Sequence, residues 1–199
     1  MSPLSDLSPR AREIVAVARE LLESEGPEGL SMRRIAARLG IRAPSLYEHV
    51  ADKRALENAI ISQAFFEQGE LTEQAANAAR RGGEDPINAI GVAYRAYAIA
   101  HPHVYRLMTD HGLDRAQLVP GAEQYAGEAL RQAVGGDLML ARVLWAFAHG
   151  MIMLELNDRF AEGSDADALW AAGLRALRAS ADAQAAADPA AAAEPDAAG

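Results

Sequence analysis

The sequence predicts an all-α protein, with an N-terminal three-helix helix-turn-helix domain joined by a long helix to a C-terminal helical bundle. Three observations predict it. Apolar residues recur at helical spacing along most of the chain, helix starts and stops are marked by cap-proline pairs and glycines, and two short helical patterns meet across a glycine between Leu30 and Lys53. Half of the 199 residues are apolar, enough for the core of one or two small domains. The expected division is 1–54 for the helix-turn-helix domain, 55–178 for a second helical domain, and 179–199 for an alanine-rich disordered tail.

The first helix starts at Ser8-Pro9, a cap followed by a proline in the first turn. Its inward face is Ala11, Ile14, Val15, Ala18, Leu21 and Leu22, and Gly26 stops it. Ser31 caps the second helix, whose face is Met32, Ile35, Ala36 and Leu39 before Gly40 ends it. Ile41 plugs the turn. A third, short helix carries Leu46 and Val50 inward. Asp52 caps a long fourth helix bearing Leu56, Ile60 and Phe66 and ending near Gly69 or Arg80.

Asp85-Pro86 restarts the pattern, with Ile87, Ile90, Gly91, Tyr94, Tyr97 or Ala98, and His101 on one face until Pro102. A short helix with Val104, Tyr105, Leu107 and Met108 follows. Another helix carries Tyr125, Ala129, Leu130 and Val134, closed by Gly135-Gly136. From Leu138 to Leu156 the chain is apolar nearly all round, so every side of that helix needs a cover. Arg142, His149 and Glu155 lie within it, which argues for a buried helix and against a membrane span. After Gly163-Ser164 a last helix shows Leu169, Trp170, Leu174 and Leu177. From Ala179 onward no large apolar side chain remains, and disorder is expected.

Composition excludes several chemistries. There is no cysteine, so disulfides, thiolate metal sites and cysteine nucleophiles are ruled out. The N-terminal stretch lacks the apolar run of a secretion signal, and a cytoplasmic location fits. The cluster His101, His103, Asp110 and His111 is broken by Pro102 and gives no helical pair of ligands; no metal and no cofactor are expected. No phosphate loop or catalytic triad is apparent, so the chain does not read as an enzyme.

The net charge of −9 is unevenly spread. Residues 1–54 hold nine Arg/Lys against eight Asp/Glu, and the rest of the chain holds ten against twenty. Between Ser31 and Arg54 six cations (Arg33, Arg34, Arg38, Arg42, Lys53, Arg54) face two acids (Glu48, Asp52), a local balance of +4. With Ala43, Pro44, Ser45, Tyr47 and His49 left outward, the second helix of the pair can meet base edges in a DNA major groove while its surroundings grip phosphate. A solvated hairpin is the plainer alternative.

The runs Ser31-Met-Arg-Arg-Ile-Ala-Ala-Arg-Leu-Gly-Ile41, Ala43-Pro-Ser-Leu-Tyr-Glu-His-Val50 and Asp52-Lys-Arg-Ala-Leu56 resemble the DNA-binding domain of the TetR family of transcriptional regulators. The resemblance covers about the first quarter of the chain. It implies a homodimer that reads a double-stranded operator and responds to a small-molecule effector through its body. Ser31, Arg33, Arg42, Ala43, Pro44, Ser45, Tyr47, His49 and Lys53 are the expected DNA-binding residues. Arg42 departs from the Ser or Thr common in the family as a cap, because a guanidinium cannot accept an amide hydrogen bond.

In the body, Trp145-x-x-x-His149-Gly150 with Leu154-Glu155, and Tyr94 to Tyr105 upstream, resemble a C-terminal domain with a Trp-His-Gly signature. The expected ligand-lining residues are Tyr94, Tyr97, His101, Tyr105, Arg142, Trp145, His149 and Met153. Arg142 has a competing assignment, a salt bridge to Glu155 or Asp137. A ligand-independent DNA-binding dimer, a helical protein-interaction module and a helical enzyme remain as alternatives.

Overall fold

The computed structural model describes residues 7–110 and 112–187, which leaves His111 outside the described residues. Among them are nine α-helices and no strand. They are α1 (Pro9–Glu25), α2 (Met32–Arg38), α3 (Ala43–Leu46), α4 (Lys53–Gly82), α5 (Pro86–Ala100), α6 (Pro102–Thr109), α7 (Ala122–Ala133), α8 (Leu138–Leu156) and α9 (Ala166–Ala187). Short 3₁₀ turns at Pro27–Gly29 and Arg115–Gln117 complete the order.

The boundaries follow local chemistry. The Ser8 hydroxyl accepts the Ala11 N–H at 3.1 Å, Ser31 accepts Arg34 N–H at 3.3 Å, and Asp52 accepts Ala55 N–H at 2.7 Å. Asp85 accepts Ile87 N–H at 3.0 Å ahead of Pro86. Each satisfies one of the amides that a helix start leaves without a partner. Of the two ends open to α4, the later holds, since the helix passes through Gly69 and stops at Gly82.

Two compact units divide the chain. The first comprises Met1–Gln68 with Tyr97–Ala126, the second Gly69–Ala96 with Gly127–Gly199. In the first unit all six residues expected inward on α1 are buried, together with Leu30, Ile35, Ala36, Leu46 and Val50. That core reaches beyond residue 54, because Leu56, Ile60, Ile61 and Ala64 of α4, Tyr97 of α5, and Val104 and Met108 of α6 belong to it.

In the second unit α8 packs against α9. Phe147 of α8 seats its ring on Gly173, where a built Cβ would lie 2.1 Å from Cζ, and meets Trp170 edge-on with centroids 5.7 Å apart. Within this chain α8 buries Leu144, Ala148 and Ile152, while the described residues leave its Met139, Val143, Ala146, Gly150 and Leu154 exposed, so the cover expected on every side is incomplete there. One correction concerns the tail. Helix α9 continues to Ala187, so the disorder expected from Ala179 does not hold over 179–187. Alanine is the strongest helix former, and Arg178 ties to Asp182 one turn on at 2.9 Å. Residues 188–199 lie outside the described residues.

Candidate nucleic-acid interface

Helices α2 and α3 are held at a fixed angle by the turn between them. Gly40 has φ +67°, a left-handed conformation that side chains disfavour, and Ile41 N–H closes back on Ala36 O at 3.0 Å. Leu46 is fully buried and Val50 nearly so. These anchors leave Arg33, Arg42, Pro44, Tyr47 and His49 exposed, with Ser31, Ala43 and Ser45 half-buried at the same motif. Arg42 occupies the N-cap position of α3 and makes no side-chain cap bond, so its guanidinium is left for another partner. Lys53 is exposed at the first position of α4.

The structure redistributes the charge that the sequence places here. Arg34 pairs with Glu25 of α1, and Arg38 lies 3.9 Å from Glu20 of α1. Lys53 lies 3.5 Å from Glu57, and Arg54 binds Asp114 at 2.9 Å. Among the described residues Arg33 and Arg42 have no carboxylate partner. The local +4 is therefore partly screened by carboxylates from outside the motif, which a count over residues 31–54 could not register.

The motif is braced within the same unit. Arg19 of α1 grips Glu67 of α4 through two bonds of 2.6 Å, and the Tyr97 hydroxyl donates to Glu67 at 3.2 Å. Burial works to raise the Glu67 carboxyl, but the hydrogen bonds and charge of Arg19 outweigh it and hold the group below its ordinary value. Burial likewise opposes the Arg19 charge, and Glu67 more than compensates. Burial also pushes the Tyr97 phenol up. Further along α1, the Glu23 carboxylate accepts the backbone N–H of Val104 at 2.9 Å and of His103 at 3.4 Å. It thus caps α6, whose own N-cap residue His101 makes no side-chain cap bond.

The eight residues expected to line a ligand site are divided between the units. Tyr97, His101 and Tyr105 belong to the first, where Tyr105 is fully buried and the Tyr97 and His101 rings lie 5.0 Å apart. Tyr94, Arg142, Trp145, His149 and Met153 belong to the second. There the Trp145 indole N–H donates to the Tyr94 hydroxyl at 3.2 Å, and its ring stacks on His149 at 5.5 Å. Arg142 is exposed. Its suggested salt bridges do not form, because Glu155 is taken by Arg95 at 2.6 and 2.9 Å and Asp137 caps α8. Arg95 also binds Asp167 at 2.6 Å and lies over the Trp170 ring at 5.5 Å. The Glu155 hydrogen bonds raise its pKa, so it is cationic throughout the working range. A groove of about 630 Å³ in the second unit is lined by Ala75, Asn88, Val92 and Ala96, among others, and by none of those eight.

Residues 14–60 match the family described as bacterial regulatory proteins, tetR family, and residues 87–177 match the tetracyclin repressor-like C-terminal domain. The chain carries both domains of a TetR-family transcriptional regulator. An HTH-type transcriptional regulator of Mycobacterium tuberculosis is 28% identical over 152 residues, 72% of this chain and 69% of that one. The class C tetracycline repressor of Escherichia coli is 49% identical over 47 residues, 24% of this chain but only 22% of the repressor. Among solved structures, a protein of unknown function from Rhodococcus sp. RHA1 has a TM-score of 0.71 at 25% identity, covering 88% of this chain and 97% of that one. A TetR variant from Acinetobacter baumannii AYE in complex with minocycline has a TM-score of 0.62 at 21% identity, covering 90% and 98%, and bears on the fold alone. The TetR assignment makes the chain a transcriptional regulator and not an enzyme.

Proposed function

We propose that this TetR-family regulator represses transcription in the cytoplasm by occupying a double-stranded operator as a twofold dimer, and leaves it when a small-molecule effector binds its body. The carrying observation is the helix-turn-helix that turns Arg33 and Arg42 outward without an internal carboxylate partner among the described residues. Arg42, Ala43, Pro44 and Ser45 meet base edges, with Pro44 offering an apolar surface suited to a thymine methyl group. Ser31, Tyr47, His49 and Lys53 hold phosphates.

An exposed face of α8 supports the dimer. Met139, Val143, Ala146, Gly150 and Leu154 are spaced four, three, four and four residues apart, all exposed, and form one stripe opposite the buried Leu144, Ala148 and Ile152. A partner's α8 and α9 would cover it in a four-helix interface. Trp145, His149 and Met153 lie on a third side of α8, with Tyr94 against Trp145. That aromatic face, with polar tips, suits a small molecule, and it supports the Trp-His-Gly assignment of the body. Genome-wide mapping of bound DNA, repeated with an extract of the cells, tests the reading. Discrete sites vacated on adding extract are expected; sites unaffected by any extract would favour a ligand-independent dimer.

A further inference from the structure

Glu20 and Glu25 are both exposed near the C-terminal end of α1, and each faces a cation of α2, Arg38 and Arg34 respectively. Lys53 and Arg54 are likewise attended, by Glu57 and Asp114. The pattern therefore divides the six cations of the motif into four that carry their own counter-ion and two, Arg33 and Arg42, that among the described residues carry none.

Such pairs are weak in water where they are exposed. Their effect on a polyanion is larger in kind than in size. A phosphate that recruits Arg34 or Arg38 must displace a carboxylate and then sit near it, whereas one that meets Arg33 or Arg42 displaces only water and mobile ions. Non-specific affinity is a sum over all cations in reach, while sequence reading is confined to those that touch bases. Carboxylates paired with the first group and absent from the second lower the sum and leave the reading contacts untouched.

We propose that Glu20 and Glu25 are specificity-determining residues, which hold back Arg38 and Arg34 from sequence-independent phosphate contact so that binding depends on Arg33 and Arg42. The inference rests on the DNA-binding reading above. Both glutamates are exposed and neither belongs to the buried core, so glutamine can replace them without disturbing the fold.

The test uses the full chain and a random-sequence duplex of mixed composition, with binding measured across a range of salt concentration. For the Glu20→Gln, Glu25→Gln double variant, affinity should rise roughly 2- to 30-fold, the sum of two exposed pairs. Its log affinity against log salt should steepen by up to about 0.9 for each freed cation. Arg33→Ala in the same background should leave most of that gain in place. A double variant with the affinity and salt slope of the unsubstituted protein would overturn the proposal while leaving DNA binding intact. Failure of every form to bind any duplex at low salt would overturn the DNA-binding reading itself, and this inference with it.

Discussion

Arg19 and Glu67 lie 48 residues apart in sequence and meet through two parallel hydrogen bonds of 2.6 Å, joining the helix that braces the helix-turn-helix to the long helix that leaves it. The forked geometry matches guanidinium to carboxylate edge to edge. Arg19→Met should cost roughly 1.5–3 kcal/mol of stability, the range for hydrogen bonds to charged groups. Because the folded-state pKa of Glu67 is depressed, the pair's contribution is fully present above the ordinary carboxylate value and is lost as pH falls through the lowered one. Urea denaturation of the two proteins at several pH values should therefore show curves that are separate at neutral pH and converge in acid. A gap that stays constant down to the acid limit would contradict the assignment.

Glu23 caps α6 from another helix. Glu23→Ala removes the acceptor of the Val104 and His103 amides, and should cost about 0.5–2 kcal/mol, as cap removal does elsewhere. Amide hydrogen exchange at His103 and Val104 is the local check. Faster exchange there than in α1 is expected, and unchanged protection would show that the cap carries no weight.

Gly173 lets α9 approach the Phe147 ring. A methyl group there would meet Cζ and Cε2 at 2.1 and 2.3 Å, so the ring or the helix must move. Gly173→Ala should destabilise by about 1–3 kcal/mol, the usual cost of overpacking, despite alanine's better helix propensity. Thermal unfolding decides the sign, and a stabilised variant would mean that the ring relocates freely.

On α8 the exposed stripe makes a separate forecast. Val143→Glu places a charge at the centre of the proposed dimer interface without touching Leu144, Ala148 or Ile152. Sedimentation at micromolar concentration should give a dimer for the unsubstituted chain and a monomer for the variant. A dimer in both would move the interface elsewhere.

Local signals were legible because they are written in neighbouring residues. Ser8, Ser31, Asp52 and Asp85 announce helix starts by residue type, and the six inward positions of α1 recur at the helical period. The same logic gave the helix-turn-helix from Leu30 to Lys53. Polar pairs over long separations have no period to read. Arg95 with Glu155, Glu23 with α6, and Glu20 and Glu25 beside α2 could not be paired from spacing, and Arg142 was offered partners that were already occupied. Alanine misled in the tail, since its lack of apolar bulk suggests disorder while its backbone favours helix over 179–187.

The most direct measurement is selection of bound duplexes from a random pool by the full chain, repeated with Arg42→Ala and Lys53→Ala. An inverted repeat should emerge, with half-site centres about 34–36 Å apart or a multiple of that. Arg42→Ala should lose about 1–3 kcal/mol on that repeat and change the preferred base, whereas Lys53→Ala should weaken all sequences alike. A pool with no enriched sequence at low salt, or equal loss on repeat and random DNA for Arg42→Ala, would contradict operator reading by this helix.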